Sequence, residues 1–395
     1  MLDKNSVDLI KSSIPAIVSL GPKLTEDFYK RMLKNHPELK NIFNQAHQGS
    51  GAQREALFNA VCAYASNLDN LEVLGGAVEK IANKHAALLV KPEQYNIVGE
   101  NLLKSIEELL NPGQEIINAW AKAYGVLAKI FIEREEQIYK ENEQKEGGWR
   151  GIREFRVIKK EKQSDIITSF DLEPVDGKKV ATFKPGQYLG IVFNDDCFDN
   201  GQMRQYSISR AFDGKSYRIA IKRENQGLVS NYMHDCVNEG DIVKLTPPVG
   251  DFFLDCNKVK NVCLMSAGVG ITPMLCMLGT LVDNNFKGKV TWLHGAHSEN
   301  TIAFTHEVSD MVQKLESFNA MAFLSNIGER SAQCPYVKQG RMNLDTIKDM
   351  IDIKDTDYYM CGPLSFMQDM AKKLIAMGVE QDKIHYEVFG PHKVL

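Results

Sequence analysis

The 395-residue sequence predicts a multidomain chain: an all-α domain, then a small antiparallel β-barrel, then an α/β domain built on a parallel sheet. Three observations predict it. Residues 1–140 carry helical periodicity with no β-rich interruption. Short β-branched and aromatic runs separated by turn residues follow, and from about residue 258 apolar strand-like and helix-like runs alternate. At roughly 150 residues per domain, the length also calls for more than one domain. The boundaries expected are 1–140, 150–257 and 258–395.

In the first part, Leu74, Val78, Ile81, His85 and Leu88 recur at steps of four and three and draw one apolar stripe. Ile116, Trp120, Tyr124, Leu127 and Phe131 draw another. Pro37, Pro92 and Pro112 stand where helices can begin, because proline lacks a donor that a first turn does not use. The run Lys140–Gly151 (KENEQKEGGWRG) ends the pattern as the tail of a solvated helix and a linker. Strands are then expected at Ile166–Leu172, Tyr188–Phe193, Tyr217–Lys222 and Ile242–Leu245. Asp176-Gly177, Pro185-Gly186, Asp213-Gly214 and Glu239-Gly240 supply the turns. The third part reads as strand Asn261–Met265, helix Pro273–Asp283, strand Lys289–His294, strand Asp357–Cys361 and helix Leu364–Met377. That alternation belongs to a parallel sheet with crossover helices.

Composition narrows the function. With 47 Lys+Arg against 51 Asp+Glu, the net charge of −4 excludes a strongly basic nucleic-acid binder, and no nucleic-acid partner is expected. Apolar residues at 44% and charged residues at 25% exclude wholesale disorder. No two of the eight cysteines stand in a C-x-x-C pair, so zinc-ribbon and thioredoxin readings fail, and reduced thiols of a cytoplasmic protein are expected. Met1–Ser13 carries Asp3 and Asp8 and no apolar core, unlike a secretory signal. Val262–Val282 is uncharged over 21 residues, enough to span a bilayer, but Gly268, Gly270, Pro273 and Gly279 break it where a buried strand, a glycine turn and a helix belong. No membrane span is expected.

Three constellations carry candidate chemistry. His85 lies on the apolar stripe of its helix, and by itself it reads more readily as a satisfied core histidine than as a metal ligand. Its setting changes the balance. Tyr29, Gln53, Tyr95 and Glu135 sit on four other expected helices, and Phe43 follows the short Pro37 segment. A Leu- and Phe-lined pocket with one inward histidine suits five-coordinate haem iron, which needs one axial nitrogen and an open opposite face. Glu135, within the run Glu133-Arg134-Glu135-Glu136, otherwise reads as part of a solvated face. The second constellation is Arg204-Gln205-Tyr206-Ser207, preceded by Phe183-Lys184-Pro185-Gly186-Gln187-Tyr188 and followed by Gly227-Leu228-Val229-Ser230 at a helix start. An arginine and helix N–H groups suit a pyrophosphate, and a tyrosine and serine suit a flavin ring edge. The third is Gly268-Val269-Gly270-Ile271-Thr272-Pro273 at a strand-to-helix turn, where bare backbone can approach a pyrophosphate. Its sixth residue is proline instead of the glycine of the plain dinucleotide fingerprint. Cys361-Gly362-Pro363 ends a second strand, with Cys361 either a free nucleophile or, as preferred, a small residue lining the nicotinamide site.

On these residues the chain resembles a known family. PKLTEDFYKRM, KNHPELKNIF, QREALFNAV, VEKIANKHAALLVKPEQYNIVGENLL and INAWAKAYGVLAKIFIEREEQIY run nearly continuously and look like a bacterial globin. The whole chain resembles the flavohaemoglobins, a globin fused to a ferredoxin reductase-like flavin reductase. The resemblance implies haem b held by His85, with Phe43 packed on it, Tyr29 and Gln53 facing oxygen, and Tyr95 and Glu135 partnering His85; Lys84 joins the catalytic set. A carboxylate and a phenol near Nδ1 would strengthen the imidazole as a donor and favour O–O chemistry over reversible carriage. The resemblance further implies FAD on Tyr188 and Arg204–Ser207, and NAD(P)H at Gly268–Pro273. Glu387-Val388-Phe389-Gly390-Pro391 would then form a flavin-covering tail. The implied activity is nitric oxide dioxygenation, in which NO and O2 become nitrate with electrons from NADH or NADPH, by a monomeric protein. Peroxide reduction, a flavin reductase without haem and an oxygen-sensing globin are the alternatives. Glu299, after the strand ending at His294, would repel a 2′-phosphate, with no arginine nearby in sequence, which favours NADH.

Overall fold

The computed structural model describes residues 2–42, 51–193 and 198–390; of Ala52 and Arg330 it describes the backbone alone. Phe43 and Pro391 lie outside the described residues. The chain divides into two compact units, one built on the segment ending at Gln144, the other on Lys145–Ile191 and Arg204–Phe389.

The first unit is helical: α1 (Lys4–Leu20), α2 (Lys23–Asn35), a 3₁₀ turn (Pro37–Asn41), α3 (Ala52–Ser66), α4 (Gly75–Ala87), α5 (Pro92–Leu110) and α6 (Gln114–Gln144). Asp3 caps α1 by accepting from the Ser6 amide at 2.9 Å, and Pro92 opens α5 as expected. Pro112 does not open a helix. It stands in the link between Asn111, whose positive φ ends α5, and the start of α6 at Gln114. Trp120 on α6 donates to Ser13 Oγ on α1 at 3.0 Å, and Tyr64 on α3 donates to the Ala123 carbonyl at 2.8 Å, so the polar atoms of these buried aromatics are satisfied. The stripe through Val78, Ile81, His85 and Leu88 is only half-buried. The neighbouring face of α4, with Ala82, Asn83, Ala86 and Ala87, is the buried one, because small side chains allow α4 and α6 to approach closely.

The second unit holds both sheets. β1 (Arg153–Lys162), β2 (Ile167–Pro174), β3 (Tyr188–Phe193), β4 (Gln202–Ser207), β5 (Tyr217–Lys222) and β6 (Ile242–Leu245) form a six-stranded antiparallel sheet in the order β4-β3-β6-β1-β2-β5. A bridge between Ile208 and Ile219 joins its two ends, closing the barrel. α7 (Leu228–Asp235) follows β5.

β7 (Asn261–Ala267) then leads through the 3₁₀ turn Gly268–Gly270 into α8 (Ile271–Asp283), two residues earlier than the sequence predicts. The uncharged run is thus a buried strand, turn and helix, and among the described residues no helix is long and apolar enough to cross a membrane. The remaining elements are β8 (Val290–Ser298), α9 (Thr305–Val312), β9 (Phe318–Asn326), α10 (Glu329–Ala332), β10 (Val337–Gln339), β11 (Thr356–Cys361), α11 (Leu364–Ala376) and β12 (Ile384–Glu387). Their parallel order is β10-β9-β8-β7-β11-β12. The winding reverses between β7 and β11, a switch point whose strand ends form a ligand crevice in open α/β sheets. One apolar cluster joins Ile167, Ala220, Phe252 and Leu254 of the barrel part to Leu264, Met274, Leu278 and Trp292 of the sheet layer.

Candidate functional site

In the helical unit, His85 sits in the last turn of α4, with its side chain about one-third exposed. Two groups converge on one of its ring nitrogens. Nδ1 lies 2.8 Å from the Tyr95 hydroxyl and 2.8 Å from Glu135 Oε1, and Tyr95 also donates to Glu135. Glu135 is 3% exposed, so the solvated-face reading fails: the acidic run of α6 turns this one carboxylate inward. Burial, and then the Glu135 charge, drive the Tyr95 hydroxyl well above the ordinary tyrosine range, so it stays a donor. A carboxylate facing Nδ1 makes that nitrogen the protonated one and leaves Nε2 its lone pair. Among the described residues Nε2 makes no hydrogen bond. The Phe131 ring lies 5.6 Å from the imidazole and stacks on Tyr95 at 6.3 Å. Tyr29 is buried on α2, its ring 4.8 Å from Phe28, and Gln53 is half-buried at the start of α3; both have polar or ring partners. Lys84 donates to the carbonyl of Gly390, which groups with this unit, at 2.7 Å.

In the barrel, β4 carries Arg204, Gln205, Tyr206 and Ser207. Burial weighs against the Arg204 charge and pushes the Tyr206 hydroxyl up to about 12. Ser207 is buried and its hydroxyl bonds to nothing among the described residues. The Tyr188 hydroxyl is buried with no hydrogen-bond partner, and its pKa is raised by burial and then by the Glu387 and Asp251 carboxylates. A Cβ on Gly250 would stand 2.9 Å from the Tyr188 ring, so only glycine lets the ring lie there. The orphaned buried hydroxyl of Tyr188 on β3, with the half-buried Arg204 and the buried Ser207 on neighbouring β4, suits a polar, phosphate-bearing ring system.

At the switch point, Gly268 has φ +56°, and a Cβ on Gly270 would collide with the Cys361 carbonyl at the end of β11. The glycine turn is therefore packed backbone-to-backbone between the two strand ends, with α8 beginning at Ile271. Thr272 donates to the Val269 carbonyl, and Ile271, Thr272 and Pro273 are buried in the first turn of α8. Cys361 is wholly buried, and burial followed by Glu387 holds its thiol far above the ordinary range, against a free nucleophile. Val388 is half-buried, while Phe389 is 48% exposed and Gly390 has φ +144°.

The family comparisons agree with this geometry. A globin family model matches residues 26–131, an oxidoreductase FAD-binding domain model 154–254 and an oxidoreductase NAD-binding domain model 264–372. The flavohemoglobin of Malassezia yamatoensis, solved with FAD and heme, is 25% identical with a TM-score of 0.87, the match covering 98% of this chain and 100% of that one. The flavohem-like FAD/NAD binding domain of nitric oxide dioxygenase from Vibrio cholerae O1 biovar El Tor is 40% identical, covering 60% of this chain and 99% of that one at a TM-score of 0.56. The chain belongs to the flavohaemoglobin family. The cytochrome b5 reductase domain of Ulva prolifera nitrate reductase, 18% identical over 60% of this chain and 97% of its own at a TM-score of 0.53, shares the reductase fold.

Two features go beyond the sequence reading: the burial of Glu387 and a buried pair between Ser266 and His294. Glu387, expected only as the first residue of the flavin-covering tail, is a buried acid whose charge bears on both Tyr188 and Cys361. Ser266 and His294 form a buried pair, Oγ to Nδ1 at 2.8 Å, across β7 and β8. The Glu299 side chain is held in place by the fold. Its carboxylate accepts from the amides of Gly328 and Ser331 at 3.1 and 2.7 Å and from the Ser331 hydroxyl. The fold thereby brings the start of α10 beside it, although 32 positions separate Glu299 from Ser331 in sequence.

Proposed function

We propose that this chain is an NAD(P)H-dependent nitric oxide dioxygenase. In this reading two NO and two O2 become two nitrates for each NAD(P)H oxidised. The three parts are residues 1–140 for haem b, 150–257 for FAD and 258–395 for NAD(P)H. The observation that carries the reading is the pair of acceptor and donor groups, Glu135 and Tyr95, converging on His85 Nδ1 in a chain with a complete reductase half. When bound, the flavin takes up electrons in pairs and passes them on singly, and the haem iron offers the site where O2 and NO combine.

The residues divide the work. His85 would hold the iron through Nε2, and Glu135 keeps the proton on Nδ1, which raises the basicity of the ligand. Tyr95 holds Glu135 in place. Tyr29 and Gln53 would meet the oxygen side, and Phe43 would pack on the ring. Arg204 would pair with the flavin pyrophosphate, with Gln205, Tyr206, Ser207 and Tyr188 on the ring and ribityl chain and the tail from Val388 to Pro391 covering it. Gly268–Pro273 would receive the dinucleotide pyrophosphate on bare backbone at the start of α8. Glu299, fixed by its three bonds, supports NADH over NADPH, because a 2′-phosphate would meet a carboxylate already held in place.

The test is consumption of NO by the purified protein, with nitrate and NADH measured together. Two NO lost and two nitrates formed per NADH are expected in air. In His85→Ala both should stop while NADH still reduces ferricyanide. Ferricyanide and NADH turnover with no nitrate formed by the unaltered protein would overturn the dioxygenase reading.

A further inference from the structure

We propose that Arg218 and Glu307 are positioning residues that lock the barrel to the parallel sheet and set the distance for hydride transfer between them. The inference rests on the FAD and NAD reading of the two layers. Arg218 stands on β5, 8% exposed, and Glu307 in the first turn of α9. Their side chains meet as a fork on a fork: Nη1 donates to Glu307 Oε2 and Nη2 to Oε1, each at 2.7 Å. The same guanidinium donates from Nε to Ser209 Oγ at 3.2 Å and from Nη2 to the Ser209 carbonyl at 2.5 Å, and lies 5.0 Å from the centre of the Phe304 ring. Lysine offers neither the plane nor the number of donors for this arrangement.

Each end of the clamp leads to one half of the redox site. Ser209 is two residues beyond Ser207, and its amide bonds to the Arg218 carbonyl at 2.7 Å, so the grip is on the extension of the strand that carries Arg204–Ser207. At the other end, Glu307 closes the segment that leaves the β8 strand end beside the switch point. That segment is tied to the barrel a second time, by the Asp165 amide donating to the Asn300 carbonyl at 2.8 Å. Between the two ties Phe304, a buried non-glycine residue, is held at φ +59°. Left-handed backbone at a bulky residue is strained and persists only where its surroundings over-determine it.

Adhesion alone does not require any of this. The apolar cluster shared by barrel and sheet already joins the layers, and a buried ion pair adds little stability that apolar residues of equal volume would not. Apolar packing is non-directional, whereas a two-pronged ion pair fixes angle and register. In hydride transfer the dinucleotide gives up one proton with two electrons and the flavin accepts them, and no other reactant is consumed. A misplacement of about 1 Å between reacting groups costs on the order of a hundredfold in rate.

The experiment uses the full chain with Glu307→Gln, which keeps the shape, and Glu307→Asp, which keeps the charge but withdraws it. FAD content and the KM for NADH should stay within about twofold. The kcat for ferricyanide reduction should fall about tenfold, and the primary isotope effect with 4-deuterated NADH should rise as hydride transfer becomes limiting. Hydrogen exchange, which needs no turnover, should quicken in residues 300–307 of both variants. A lowered melting temperature with kcat and isotope effect unchanged would make the pair a structural tie only and overturn the proposal. Absence of FAD binding or NADH oxidation in the unaltered protein would instead overturn the cofactor reading on which it rests.

Discussion

Mild acid should loosen the reductase unit through a single side chain. His294 on β8 is 2% exposed, and burial alone pushes its pKa from 6.5 down to about 4. The folded state therefore disfavours the charged ring. The stabilisation is complete above the unfolded value and is lost as pH falls from 6.5 toward 4. Taking those two values, the ratio of proton binding to unfolded and folded chains changes by about twentyfold between pH 7 and pH 5, a loss of about 2 kcal/mol. His294→Asn puts an amide near the position of Nδ1, preserves a partner for Ser266 and cannot titrate. Urea unfolding of both proteins at pH 7 and pH 5 measures the effect. Of the three tryptophans, Trp292 is two residues from the site, so Trp120→Phe and Trp149→Phe leave a local fluorescence probe. The unaltered protein should lose about 2 kcal/mol more than His294→Asn over that interval. An equal loss in the two would refute the reasoning, whatever the absolute stability of the variant.

Four further outcomes follow from the site. Glu135→Gln replaces two charge-assisted bonds with neutral ones and should cost the helical unit about 1–2 kcal/mol, read as a lowered first transition in calorimetry. Arg204→Ala should weaken FAD binding by about 1.5–3 kcal/mol, roughly ten- to a hundredfold, in a fluorescence titration. Gly270→Ala drives a methyl group into the Cys361 carbonyl and should lower the melting temperature and raise the KM for NADH, by roughly 1–3 kcal/mol of strain. Tyr29→Phe should keep fold and haem yet speed oxygen dissociation about ten- to a hundredfold in rapid mixing; an unchanged rate would remove Tyr29 from the oxygen side.

Much of this architecture was legible in the chain itself. Helical periodicity up to residue 140 and turn-bounded β-branched runs after it mark three fold types. The strands Tyr188–Phe193, Tyr217–Lys222 and Ile242–Leu245 begin and end where the residue pattern places them. These are local matters: a period of 3.6 or 2, a glycine or a proline acts through neighbours a few residues away. β1 carries no such pattern, because its inward residues, Phe155 and Val157, are followed by a bulge and a lysine-rich run that erase the alternation. His85 is visible as an odd residue on an apolar stripe, whereas the pattern of the acidic run makes Glu135 a solvated residue, and only the family resemblance turns it toward His85. Only the tertiary structure decided that Glu135 and Tyr95 meet His85 at the same ring nitrogen, which strand end meets the Gly268–Gly270 turn, that Ser266 lies against His294, and that Arg218 finds Glu307 89 positions away. Such pairings depend on how whole elements pack, and the energy of each is realised only after the layers that carry it have closed together.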